Sequence, residues 1–347
     1  MREWATAPPA ESRLRLFPFA LSVSKGLFPG TRSSRSPRTL ALAALVVFLA
    51  AATAAGVFLF ARQSAHSEAQ ATQRGRERWL AGDRSRLPAV AAVSGVPQAG
   101  AIFACPAPLN GGGAFATGPW LRPDGTFDLT AKPTVDGAVQ WTGRFTITLD
   151  GATRAFAGNG LPFHPTGVFP IARTDDAYAF DRNPNSIRAI PVTRVVPAQP
   201  ALAEAPACLP MGPIGILRTG AVLFNALDAA GRDAVAHEIQ DACFGHPGPM
   251  GSYHYHSLTP CLADARVHET PETHSPLVGY ALDGFGIFGP RGEGGALLQT
   301  SDLDECHGHT HAVEWDGKRL SLYHYHATWS YPYTLGCFRG AVTPPAS

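Results

Sequence analysis

The chain has 347 residues, with 28 basic and 27 acidic side chains and a formal net charge of +1. That balance gives no electrostatic footprint for nucleic acid, and no nucleic-acid partner is expected. The 36 glycines and 31 prolines point to many turns and exclude an architecture of long helices.

In chain order, residues 1–38 form a basic leader, with seven Lys/Arg against Glu3 and Glu11. Residues 39–61 carry no charge and are almost wholly apolar, long enough to cross a bilayer as a helix. The basic flank keeps the leader in the cytoplasm and sends the remainder across, so the expected membrane partner is this segment. It reads as a transmembrane helix or signal anchor, or as a signal peptide cut near the small residues Ala50–Ala54 or Ala65. Residues 62–98, rich in Ala, Arg, Gln and Ser, read as a linker.

From about Ala99 the pattern becomes β, and residues 99–212 read as an N-terminal β segment. Phe145–Leu149 alternates apolar and polar residues and runs into Asp150-Gly151, a turn signal. His164 sits alone in a proline-rich stretch and reads as a solvated loop residue. The expected class is mainly β (α+β with few short helices), an internally duplicated β domain after the N-terminal transmembrane or signal segment.

The duplication covers 213–340, with units 213–261 and 276–337. Gly215, Gly220 and Phe224 align with Gly279, Gly284 and Phe288 in two hairpin-like stretches. Each unit then runs Asp-x-Cys-x-x-His, a Tyr-His-Tyr-His tetrad and a closing cysteine. The corresponding residues are Asp241, Cys243, His246 and Cys261, and Asp304, Cys306, His309 and Cys337. The tetrads are Tyr253-His254-Tyr255-His256 and Tyr323-His324-Tyr325-His326. A helix is expected within 226–242, and a variable loop between the histidine and the tetrad of each unit, where the two units differ in length.

Six cysteines downstream of a hydrophobic segment point to disulfides in an oxidising compartment. Bracketing of each tetrad favours Cys243 with Cys261 and Cys306 with Cys337, leaving Cys105 with Cys208. Thiolate ligation ranks lower because no Cys-x-x-Cys pair occurs.

Eleven of the 13 histidines lie between His237 and His326. On a strand, alternate side chains share a face, so the two histidines of a tetrad stand roughly 7 Å apart on one side with the tyrosines on the other. His-x-His plus a third imidazole from nearby is a three-nitrogen set suited to zinc or copper. The candidate ligands are His246, His254, His256, His309, His324 and His326. Asp241 and Asp304 are candidate ligands or imidazole-orienting groups, with Tyr253, Tyr255, Tyr323 and Tyr325 beside them. His307 and His311 flank His309. Two geometries satisfy the pattern: one ion per unit, or one four-histidine site shared by the two tetrads. A metal-free network of His, Tyr and Asp is the structural alternative. Glu238, Glu305 and Glu314 are each available as a general base, and the sequence singles out none of them.

These words carry a resemblance. Asn159-Gly160-Leu161-Pro162, Asn183-Pro184-Asn185, the run from Gly245 to His256, residues 275–290, 301–311 and 323–340 are similar to the YHYH domain family of exported proteins. The resemblance covers about Gly143 to Gly340, so residues 143–212 join the duplicated region in one domain. It implies an extracytoplasmic domain, membrane-anchored or secreted, and supplies no catalytic residue. The functional expectation is a histidine-rich site for a transition metal. A metal-dependent hydrolase or oxidoreductase, and a metal-free structural or adhesion domain, are the alternatives.

Overall fold

The computed structural model describes residues 82–109, 111–265 and 273–342. The described residues belong to one compact unit that begins at Ser64. The expected leader and the 39–61 segment lie outside them. Among the described residues no helix is long and apolar enough to cross a membrane.

Four short strands come first: β1 (Leu87–Pro88), β2 (Val93–Ser94), β3 (Ile102–Phe103) and β4 (Thr126–Phe127). β1 pairs with β4 and β2 with β3. The end of the stretch expected as a linker is therefore built into the fold. Leu87 is buried in the same core cluster as Phe127, and so short an apolar run leaves no periodicity to read.

β5 (Phe145–Asp150), β6 (Thr153–Gly158) and β7 (Val192–Pro197) form an antiparallel three-stranded sheet. Gly151 (φ 57°) makes the turn expected after Asp150. β8 (Leu202–Ala207) pairs with β17 (Phe338–Gly340) near the C-terminus.

The duplicated units make one eight-stranded sheet. The first contributes β9 (Pro213–Leu217), β10 (Val222–Phe224), β11 (Gly245–Pro247) and β12 (Tyr253–Tyr255). The second contributes β13 (Leu277–Ala281), β14 (Gly286–Phe288), β15 (Gly308–Trp315) and β16 (Lys318–His326). The order is β11-β12-β10-β9-β13-β14-β16-β15, with β10/β12 and β14/β16 parallel and the other pairs antiparallel.

Read outwards from the centre, the two halves repeat strand for strand. At the seam Ile216 pairs with Tyr280, flanked by Leu217↔Gly279 and Gly215↔Ala281. Alignment of Gly215 with Gly279 makes Ile216 and Tyr280 equivalent, so a pseudo-two-fold passes through that pair. Each unit's hairpin turns on a glycine, Gly220 (φ 90°) or Gly284 (φ 94°), a conformation that a side chain disfavours.

The expected helix within 226–242 shrinks to α1, Ala234–His237, capped by the Asp233 carboxylate on the amides of Val235 and Ala236. Buried Ala234, Val235 and Ala236 are held by the core, so the apolar pattern there reflects packing of a single turn. The stretch expected as a variable loop after His309 is instead the long hairpin β15–β16. Its turn is Asp316-Gly317, both at positive φ, and this dipeptide suits a two-residue hairpin loop.

Directly paired residues share a sheet face. His246, His254, Val222, Ile216, Tyr280 and Gly286 follow one another across the strands, on one face. Phe288, two residues after Gly286, pairs with His326, and His324 pairs with His309. Both histidine sets therefore stand on the same face of the sheet. Phe156, Val192 and Val196 of the three-stranded sheet pack there against Ile216, Val222, Tyr280 and Trp315. Arg154 is buried with them, paired to Asp316 at 2.7 Å and lying over the Tyr280 ring. The opposite face sends Tyr253, Tyr255, Tyr323 and Tyr325 into the larger core with Trp120, Phe127 and Phe338.

All six cysteines are paired, as Cys105–Cys208, Cys243–Cys261 and Cys306–Cys337, the pairing expected from the repeat. Three disulfides fit an oxidising, extracytoplasmic setting.

Candidate metal centres

The tetrad strands place their histidines as strand alternation dictates. In the first unit, β11 brings His246 opposite His254. The Nε2 atoms of His246, His254 and His256 form a triangle with edges of 3.1, 3.3 and 3.1 Å. An ion held at about 2.0–2.1 Å would set imidazole nitrogens roughly 3.3 Å apart in a tetrahedral site and about 3.0 Å in an octahedral one. The triangle is the right size for either.

The other ring nitrogens fix the protonation. His254 Nδ1 lies 3.1 Å from the Ser252 carbonyl, and His256 Nδ1 lies 2.6 Å from the Asn225 carbonyl. A carbonyl oxygen only accepts, so each Nδ1 carries the hydrogen and each Nε2 turns a lone pair inward. Two such lone pairs at 3.1 Å repel unless a positive charge lies between them. Phe224 stacks on His254 at 4.0 Å between ring centroids and walls the site on one side. Burial keeps the imidazoles neutral. It lowers His254 to about 3 and His256 to about 4, and pushes His246 well below its ordinary value, helped by the neighbouring rings.

The second unit repeats the construction and adds to it. His309, His324 and His326 are joined by His274 and His311, and one nitrogen from each of the five lies within 4.8 Å of the others. His309 Nε2 is 3.0 Å from His326 Nε2 and 3.1 Å from His311 Nε2. Backbone carbonyls again hold Nδ1: Leu322 for His324 at 2.9 Å, Gly289 for His326 at 2.6 Å and Ser275 for His274 at 2.7 Å. Asn225 and Gly289 follow the aligned Phe224 and Phe288, so the same backbone position orients the last histidine of each tetrad. Burial lowers His324 to about 3, and His309 and His274 to about 4.

The clusters are separate. Five strand spacings part β12 from β16, about 24 Å, too far for one ion to reach both tetrads. Of the two geometries compatible with the sequence, only one cluster per unit survives.

Asp241 and Asp304 do not serve as ligands here. They lie with the tyrosines on the opposite face, where Tyr253 donates to Asp241 at 2.9 Å and Tyr323 to Asp304 at 3.0 Å. Each carboxylate also caps its Asp-x-Cys turn, accepting from the amide of Cys243 or Cys306 at 2.9 Å. The tyrosines are likewise turned away from the inward-facing nitrogens. Tyr255 meets His164 Nε2 at 2.6 Å, and Tyr325 donates to Asp283 at 2.5 Å. His164 is thus a buried partner of the first tetrad and not a solvated loop residue. It also lies near Cys243 and Cys261, whose sulfurs are committed to a disulfide.

Two members of the second cluster, His274 and His311, are absent from the candidate ligands, although His311 flanks His309 in the sequence. His311 was legible: it lies two residues from His309 and so on the same strand face. His274 enters from the segment before β13 and leaves no periodic signal. His307, between them in sequence, takes φ 72° and turns aside to Thr328 Oγ1 at 3.0 Å. Of the three candidate bases, Glu238 reaches the first cluster. Its Oε2 lies 3.4 Å from Nε2 of both His246 and His256.

Fold and site together define a disulfide-braced β protein with two related imidazole clusters on one face of a duplicated sheet. Residues 193–297 match the family model described as YHYH protein. The match runs from β7 through the first tetrad to the second hairpin, and is shorter than the resemblance read from the motifs. No curated protein and no solved structure matches the chain.

Proposed function

We propose that this is an exported, metal-binding protein that holds two transition-metal ions, zinc or copper, one at each imidazole cluster. The observation behind this reading is the locked orientation of the rings. Backbone carbonyls hold Nδ1 of His254, His256, His324 and His326, so four lone pairs face inward in two groups. A metal-free hydrogen-bond network would alternate donors and acceptors, and the His254–His256 pair sets acceptor against acceptor at 3.1 Å. Export rests on the three disulfides and on residues 39–61 serving as membrane anchor or signal.

Elemental analysis of the purified full chain tests the reading. Wild type should carry two equivalents of metal, and His254→Ala/His256→Ala or His324→Ala/His326→Ala one each. The fourfold variant should carry none. Equal metal content in the fourfold variant and wild type would remove the reading.

A metal-dependent hydrolase or oxidoreductase is the second reading, favoured by the first cluster alone. His246, His254, His256 and Glu238 line a cleft of about 910 Å³. That space suits a small-molecule substrate beside a bound ion.

A further inference from the structure

The two clusters are copies of one plan whose donors have diverged. His246, Cys243 and Asp241 precede His309, Cys306 and Asp304 by one constant offset. The same offset sets Glu238 against Ser301 and Gly248 against His311. Ser301 is exposed, whereas Glu238 is 8 % exposed and aims Oε2 at the first cluster. That oxygen has no hydrogen-bond partner, and it lies 3.4 Å from two inward-facing nitrogens. Burying an ionised carboxylate is costly, and either a proton or a cation must offset that cost; a cation placed there would also meet the two inward lone pairs.

Glu238 is also held firmly. Lys132 Nζ donates to the carbonyls of Val235 and Glu238 and to Gln240 Oε1, each at 2.6 Å. The Ile239 amide donates to Asp181 at 3.0 Å. The backbone is thus clamped on both sides of the carboxylate. Gly248 keeps its side of the cluster open: a Cβ there would already touch His254 Cε1 at 3.4 Å. In the second cluster the equivalent place is filled by the His311 imidazole.

We propose that Glu238 is a fourth protein donor at the first site, whose ion keeps an exchangeable position facing the cleft and takes a small anionic oxygen ligand there, whereas the second ion is enclosed by imidazoles alone. This rests on the metal-binding reading above. One carboxylate offsets half the charge of a divalent ion and makes the donor set harder, so the ion retains affinity for oxygen ligands. The cleft gives such a ligand access, and Gly248 leaves it room.

The test uses the full chain loaded with cobalt(II) and probed with acetohydroxamate. His324→Ala/His326→Ala isolates the first site, and His254→Ala/His256→Ala the second. In the first-site background, hydroxamate should change the visible cobalt spectrum, and Glu238→Gln should weaken cobalt binding at least tenfold. In the second-site background neither should have an effect, and that site reports that the Gln variant is folded. Should Gln unfold the chain, Glu238→Asp, which withdraws the carboxylate by one methylene, is judged by the same tenfold criterion. A smaller loss, or hydroxamate acting at both sites alike or at neither, overturns the proposal. A wild-type chain that binds no cobalt overturns the metal reading and this proposal with it.

Discussion

A histidine and a tyrosine alternate in each tetrad because the two faces of the strand need opposite chemistry. The imidazoles converge as acceptors, while the tyrosines fill the core and must find acceptors for their hydroxyls. Asp283 shows how tightly this is arranged. It is 1 % exposed and accepts from Tyr325 Oη and from the amides of Gly340 and Arg339. Tyr325→Phe removes the hydroxyl and leaves that carboxylate with fewer donors. We expect a loss of about 1–3 kcal/mol, read from the urea midpoint. A midpoint unchanged from wild type would mean the hydroxyl contributes nothing.

The imidazoles also set a pH dependence for the metal-free chain. Burial holds His254, His324 and His307 near 3, and His256, His274 and His309 near 4. In the unfolded chain they take protons near 6.5. Between those values the unfolded state binds more protons, so stability rises with pH. The contribution is complete above about 6.5 and is lost as pH falls towards about 4. The carboxyls of Asp233 and Asp241, which burial raises to about 7 and about 6, act with the opposite sign. The depressed imidazoles are more numerous, so with a chelator present the urea midpoint should be lower at pH 5 than at pH 7.5, and an equal or higher midpoint would mean that the carboxyls offset them.

At the scale of elements, a glycine paired with each tetrad's second tyrosine and covered by the ring of its first fixes how the outer strands approach. Gly245 lies under the Tyr253 ring, and a Cβ there would overlap it; Gly308 stands in the same relation to Tyr323. Gly245→Ala and Gly308→Ala should each destabilise the chain by about 1–3 kcal/mol, with matching metal loss at the altered cluster only. Loss at both clusters from either change would show that the halves are not independent.

Much of this level was legible, because repetition in sequence became repetition in space. The aligned glycines and Phe224/Phe288 predicted equivalent hairpins, and the seam at Ile216 and Tyr280 falls where that alignment requires. The disulfide brackets followed for the same reason. Features that depend on distant partners were not legible. β1 and β2 exist only through their pairing with β4 and β3. The helical pattern of 226–242 collapsed to one turn because its apolar residues answer to the core around Trp120, whose indole donates to the Ala236 carbonyl at 2.7 Å. His274 and Glu238 reach their clusters from outside the repeated motif, so spacing alone gave no sign of them.

For the whole molecule, duplication doubled a site and then let the copies differ. The three-stranded sheet packs against the central Ile216 and Tyr280, and the clusters lie towards opposite edges of the large sheet. Cys243–Cys261 and Cys306–Cys337 close chain separations of 18 and 31 residues, each around one tetrad. In the chain-entropy account each is worth about 3–4 kcal/mol. That local bracing holds the acceptor nitrogens together against their mutual repulsion.

Anomalous X-ray scattering from a crystal of the metal-loaded chain, recorded on both sides of the zinc or copper edge, tests the central claim most directly. The account predicts two peaks per chain, each about 2 Å from Nε2 of one tetrad's histidines. Peaks lying away from those nitrogens, or a single peak placed between the two halves, would contradict it.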